Sequence, residues 1–451
     1  MSSKASIRAG LLRPDDAYSA FTPYTNEEII EMMWSPWFER AWVVQEFSYS
    51  KTANFHFKGI VANMLFLQNV YTWGIDLGFG RIEDGNGSRI EVPIPPMIRH
   101  FGALISMRSE NFRREFRQNP LEDILCRFYH CRATDPHDKV IAFLGLANGE
   151  WLKKVTADYE RSPVALYLDV MTAMMQQSTD YALLGFAGIA SRRPLFNENP
   201  DIPSWLPDLS TPPHHTTWSC QWRRFNASGI DENKGARVQS FNLEELFGKQ
   251  QPNLPSTGIA TTGTCIGTVV GGIQGHERHN FAYLPSFITA ALEISHKVSP
   301  YPTGESARDV LWKTLIAANP RGFEHDKSGA GFDQLCEWVK TGNLNLAKIW
   351  ALEGRYYQTM LVEGAGGARG LFWTESGYMG LAANGVKMGD TVWVLEGARV
   401  PFILRSKVRI TGGGSHDSFS IAVCNLVTEA YVHGAMKGES GAKFEKRILL
   451  V

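Results

Sequence analysis

The chain has 451 residues, enough for two or three compact units, and its 44% apolar and 20% charged content is that of an ordinary globular protein. There are 45 Lys and Arg against 46 Asp and Glu, a net charge of −1, which argues against a surface built for nucleic acid or an anionic membrane. The start MSSKASIRAG lacks the apolar stretch of a secretory signal, and no run reaches the roughly 18 apolar residues of a membrane span. Six scattered cysteines form no CxxC pair, so neither a zinc ribbon nor a disulfide framework is expected, and a reducing, cytoplasmic setting is.

In chain order, residues 1–24 read as irregular. Thr25-Asn26-Glu27-Glu28 has capping-box spacing and predicts a short helix through Trp34. Ser35-Pro36 then restarts the chain, with Ser as N-cap and Pro at the first helical position. A helix from Pro36 would carry Phe38, Trp42 and Glu46 on one face. Ala53, Phe55 and Phe57 alternate with Asn54, His56 and Lys58, the period of a half-buried strand. The Gly, Asn, Asp and Pro content of residues 78–96 predicts a loop. Helical patterns resume over 97–132, where Arg108, Arg113, Arg114 and Arg117 read as a solvated helix face.

Asp135-Pro136-His137-Asp138 opens another helix, with Asp135 as cap and Asp138 in the electropositive first turn. Residues 163–177 form a further amphipathic helix, and 191–255 are loop-rich and broken by Pro. Strands are expected over 257–273 and helices over 280–350. The last hundred residues alternate between Gly-containing turns, the pattern of a small antiparallel β unit. The implied divisions are 1–60, 61–255, 256–350 and 351–451.

The stretch Trp34–Glu46, WSPWFERAWVVQE, resembles the last of the three sequence blocks of the fungal heterokaryon-incompatibility (HET) domain. The matching positions are Trp37, Phe38, Arg40, Trp42, Val43, Gln45 and Glu46, and Lys58-Gly59 fits the family's habit of a Gly shortly after. Later segments resemble the family in the same order. They are Leu121–Leu125 with ATDPHDKVIAFLGLA, in which Asp135 and Asp138 flank a His137 that replaces the family's usual Arg, then Ala157-Asp158-Tyr159, Pro203–Asp208, residues 377–405, and LVTEAYVHGAMKGE with His433. The resemblance runs from about residue 25 to residue 439. The two earlier blocks of the HET domain have no counterpart before Trp34, so the chain resembles a HET domain lacking its first half.

The resemblance implies an α/β, TIR-like remnant at residues 1–60, a mainly helical middle and a β-rich C-terminal unit. It implies fungal non-self recognition, with a protein partner or self-association triggering cell death, or else a non-catalytic interaction scaffold derived from a HET protein; no cofactor, nucleic acid or membrane span is implied. Some TIR-like proteins cleave NAD, using a helical Glu near a Trp to stabilise positive charge developing on the sugar, and Glu46 is the corresponding position. The plainer reading has Glu46 end the helix and pair with Arg40 or another base, and packs Trp37 and Trp42 in the core. It is preferred, because the strand and loop that would bind a nucleotide belong to the earlier blocks.

Other chemistry is weaker. Asp135 and Asp138 could be metal ligands, yet capping explains both and needs no metal, and His276 and His279 are three apart, not four as in a zincin. The Gly-rich 84–88 and 364–370 read as turns, and Ser204 lacks the flanking glycines of a nucleophile elbow. His433 is expected to fix a turn beside Gly434 by a hydrogen bond. Trp205 and Trp393 read as core aromatics.

Overall fold

A computed structural model describes residues 35–58, 60–63, 81–83, 89–91, 96–112, 120–149, 155–176, 181–190, 201–210, 217–220, 225–230, 239–242, 257–275, 281–298, 300–318, 325–344, 368–412 and 419–451, with isolated positions between them. The capping box at Thr25, the Arg113–Arg117 cluster, the 84–88 turn and the histidines at 276 and 279 lie outside the described residues. The chain divides into two compact units, residues 1–79 with 94–116, and residues 80–93 with 117–451. Among the described residues no helix is long and apolar enough to cross a membrane.

In the first unit, Ser35 accepts a hydrogen bond from the Trp37 amide and opens a single 3-10 turn, Pro36–Glu39. The predicted continuous helix stops there. Arg40 takes an extended conformation (ψ 133°), and α1 (Ala41–Tyr49) starts afresh after it. Phe38, Trp42 and Glu46 therefore do not share one helical face: Phe38 is buried, Trp42 half-buried and Glu46 exposed. Strands β1 (Asn54–Phe57) and β2 (Ile60–Asn63) pair antiparallel, and Lys58 adopts positive φ in the tight turn between them. Phe55 and Phe57 are half-buried and Asn54 and His56 exposed, as the alternation predicted.

Helix α2 (Pro96–Phe112) packs on α1 through buried Phe101, Leu104, Ile105 and Met107. Arg108 departs from the solvated face expected for it. It is buried, stacks on Phe47 and donates to the Phe47 and Lys51 carbonyls at 2.8 and 2.9 Å and to the Ser50 hydroxyl at 2.6 Å. The guanidinium thus satisfies carbonyls that the end of α1 leaves open.

In the second unit, β3 (Arg81–Glu83) and β4 (Arg89–Glu91) form a small hairpin, followed by helices α3 (Leu121–Phe128), α4 (Asp138–Leu144) and α5 (Pro163–Met175). Ser162 caps α5 with Pro163 in its first turn. Helices α6 (Leu284–Lys297), α7 (Ala307–Leu315) and α8 (His325–Lys340) fill the stretch expected to be helical. Ser306 caps α7 by accepting from the Asp309 amide, and its hydroxyl donates in turn to the Asp309 carboxylate.

The remaining strands are β5 (Gln239–Asn242), β6 (Thr257–Ile273), β7 (Arg369–Thr374), β8 (Met379–Ala383), β9 (Thr391–Leu395), β10 (Phe402–Gly412), β11 (Phe419–Val432) and β12 (Lys446–Leu450). Residues 257–273 are one 17-residue strand, where separate strands were expected. Its register shifts at Cys265/Gly267 and Val269/Gly271 let it change partner along its length. The pairings β6–β9–β10–β11–β8–β7–β6 close a ring of six strands. Strand β12 pairs with both β6 and β11, and β5 adds to β6.

The C-terminal unit is therefore mixed, not purely antiparallel as expected, because β12 runs parallel to β11. The ring encloses a core of Val269, Phe372, Ala382, Val392, Ile403, Val427, Ala430, Val432 and Ala435. Trp393 is buried with this sheet and Trp205 is fully buried, as expected of core aromatics.

Candidate functional site

Three groups of side chains merit attention, and the sequence pointed to a part of each. The first lies in the N-terminal unit. The WFERAWVVQE block and β1 together line a hollow of about 450 Å³, walled by Trp37, Phe38, Glu46, Phe47, Phe55 and His56 among others. That volume falls in the range of small-molecule sites. Trp37 meets Phe38 and Phe55 edge to face at 5.0 and 5.7 Å, and it is 36% exposed, not the core residue expected.

Glu46 stands exposed on this wall and makes no ion pair with Arg40, one of the bases expected to pair with it. Arg40 is itself exposed and Gln45 half-exposed. Arg40 is the extended residue ahead of α1, and six residues is a spacing that brings no two side chains together even along one helix. Of the family-motif positions, the hollow therefore gathers Trp37, Phe38 and Glu46, and not Arg40, Trp42 or Gln45.

The second group is DPHDK. Asp135 does not cap α4, which begins at Asp138 behind an N-cap, His137, with no side-chain cap bond. Instead Asp135 accepts from the His137 amide at 2.9 Å and from its Nδ1 at 2.6 Å, a local turn that competes with helix capping. His137 Nε2 lies 2.7 Å from the Arg161 carbonyl. Both ring nitrogens thus face acceptors, which only the doubly protonated ring can satisfy. Burial works against that charge, but the Asp135 carboxylate and the Arg161 carbonyl overcome it and raise the His137 pKa.

Asp138 accepts from the Tyr159 hydroxyl at 2.7 Å, and Lys139, 2% exposed, donates to the Tyr129 carbonyl at 3.0 Å and to that of Cys131. Each polar side chain of the segment is thereby engaged in holding neighbouring loops, and the one imidazole beside Asp135, that of His137, is taken up by hydrogen bonds to Asp135 and the Arg161 carbonyl.

The third group sits on β11. Alternation in Glu429-Ala-Tyr431-Val-His433 sends Ala430 and Val432 into the ring's core and Glu429, Tyr431 and His433 to the opposite face. Glu429 is buried and accepts from the Trp218 amide at 2.7 Å and from the Ser219 amide and hydroxyl at 2.9 and 2.5 Å. Burial pushes its carboxyl up, against the pull of Arg369 and these donors. Arg369, 1% exposed, stacks 3.7 Å from the centre of the Trp218 ring.

His433 binds Glu305 through Nε2 at 2.7 Å and faces the Tyr431 hydroxyl through Nδ1 at 3.1 Å. Its carbonyl accepts from Tyr301 at 2.8 Å, and Gly434 follows at φ +76°, where an added Cβ would lie 2.4 Å from Thr303. Glu305 feels burial, but Lys313, Thr303 and His433 outweigh it and hold its pKa near 2. Sequence reasoning singled out His433 and missed Glu429, Tyr431 and Arg369; the polar residues at i, i+2 and i+4 were the available signal.

Ser204 likewise has a structural place. Its hydroxyl donates to the Val451 carbonyl and accepts from the Leu426 amide at 2.7 Å.

The fold and these groups define a closed, mixed β-ring with a buried ionic cluster against its outer face, and separately a helix–hairpin unit with an aromatic hollow. Residues 333–451 match the family model of the Het-6 beta-barrel domain, a domain type found in fungal heterokaryon-incompatibility proteins. The match takes in β7–β12, whereas β6, which closes the ring, stands before it. No curated protein and no solved structure matches the chain.

Proposed function

We propose that the chain serves in fungal heterokaryon incompatibility, as a cytoplasmic effector of non-self recognition that a protein partner or self-association activates, with cell death as the outcome. The Het-6 beta-barrel match over residues 333–451 carries this reading. The WFERAWVVQE block supports it from the other unit, with residues 1–60 read as the C-terminal part of a TIR-like HET domain. Inducible expression in a filamentous fungal host tests it. Growth arrest is expected on induction; growth at the empty-vector rate, with the protein detected by immunoblot, would overturn it.

One observation favours a second reading, NAD glycohydrolase activity with Glu46 as the catalytic carboxylate. Glu46 faces a hollow of ligand size next to Trp37, where a fixed negative charge would stabilise a cationic sugar. Incubating the purified protein with NAD, beside Glu46→Ala, decides it: without nicotinamide release from the wild type, the reading is lost.

A further inference from the structure

We infer that the hollow beside α1 binds a small organic cation, such as a quaternary ammonium group, seated on Trp37 and Phe55 with Glu46 as its counter-charge. Aromatic faces carry negative potential and attract cations within about 6 Å of the ring centre. The described residues lining the hollow include Trp37, Phe38, Phe47 and Phe55, one carboxylate and His56, and among them no Lys or Arg.

The chain's own cations already use neighbouring rings in this way. The Arg108 guanidinium lies 5.4 Å from the centre of Phe47, and the Lys58 ammonium 5.6 Å from that of Phe57. Both cations are committed elsewhere as well. Arg108 is held by the carbonyls at the end of α1, and Lys58 is paired with Glu31. Trp37 and Phe55 hold no cation of the chain's own among the described residues, and they meet edge to face at 5.7 Å with Glu46 on the same hollow.

The charge pattern selects the ligand. An anion would meet the Glu46 carboxylate, and among the described lining residues only the His56 imidazole could carry a charge to offset it. A neutral apolar ligand would strip water from the carboxylate and give nothing back. A cation with an apolar surface is matched by both the rings and the carboxylate. The inference depends neither on incompatibility nor on NAD cleavage.

The test is titration of the purified full chain with choline and with its uncharged isostere, 3,3-dimethyl-1-butanol, followed by calorimetry and ligand NMR in NAD-free buffer. Choline is expected to bind saturably and the alcohol not to bind over the same range. Glu46→Gln and Trp37→Leu, with melting temperatures checked against wild type, should each weaken choline about tenfold, a change within the range of desolvated cation–π contacts. The inference is overturned by equal affinity for the alcohol, by wild-type affinity in Glu46→Gln, or by no choline binding. Because NAD is absent, a protein that binds choline yet releases no nicotinamide keeps this inference and loses the other.

Discussion

Acidification should loosen the N-terminal unit through one residue, His100. Its ring is fully buried on α2 and bonds the Phe38 carbonyl. Burial lowers its pKa from 6.5 to about 4, against the pull of that carbonyl. Between these values the unfolded chain holds a proton that the folded chain refuses, so stability is full above pH 6.5 and falls as the pH drops toward 4. Taking the two values, the loss between pH 7 and pH 5 is about 2 kcal/mol by proton linkage.

Hydrogen exchange read on peptides covering α1 and α2, corrected for the intrinsic rate, measures the local opening free energy at each pH. His100→Gln supplies a donor that does not titrate and shares every other group with the wild type. The wild type should therefore lose about 2 kcal/mol more than the variant over this interval. Equal losses in the two proteins would refute the assignment of a buried, neutral His100.

Three further outcomes follow from the second unit. His137 has a raised pKa, so its contribution is complete below about 6.5 and is lost as the pH rises through the raised value; the melting temperature should fall between pH 6 and 8.5 in the wild type, and His137→Arg should flatten that fall. Lys139→Met removes the ammonium shared by the Tyr129 and Cys131 carbonyls and should cost roughly 2 kcal/mol or more in urea unfolding; a loss below 0.5 kcal/mol, about the scatter of a neutral surface change, would contradict its burial. Ser204→Ala takes a donor from Val451 and an acceptor from Leu426 and should destabilise by roughly 1–3 kcal/mol. An unchanged denaturation midpoint would show that this hydroxyl holds nothing together.

What could be read from the sequence was mostly local. The Asn54–Phe57 alternation gave a half-buried strand, and the apolar spacing over 163–177 gave a helix, because both signals depend on near neighbours. The break at Arg40 escaped notice because Glu39 and Arg40 carry neither Gly nor Pro to mark it. At Asp135 two local solutions compete for one carboxylate, a helix cap and a turn onto His137, and composition does not say which wins.

The aromatic hollow was half legible. Its Glu46 and Trp37 came from a motif, while Phe55 came from a strand that nothing in the sequence placed beside them. Glu429 was missed for a related reason: its partners Trp218 and Ser219 are some 210 residues earlier in the chain. A strand pattern shows which residues face together, not what covers them.

The closure of the ring also has a kinetic side. Ile259 of β6 pairs with Leu450 of β12, so this strand leaves the ribosome long before the partner that completes it. At about 5–20 residues per second of synthesis, the roughly 190 residues between them take about 10–40 s. For that time the Ile259–Gly263 edge of β6 stays open, the kind of template that draws other chains into sheet. Production of this protein at high level should therefore be limited less by the final stability of the ring than by how well β6 is kept apart from its copies while it waits.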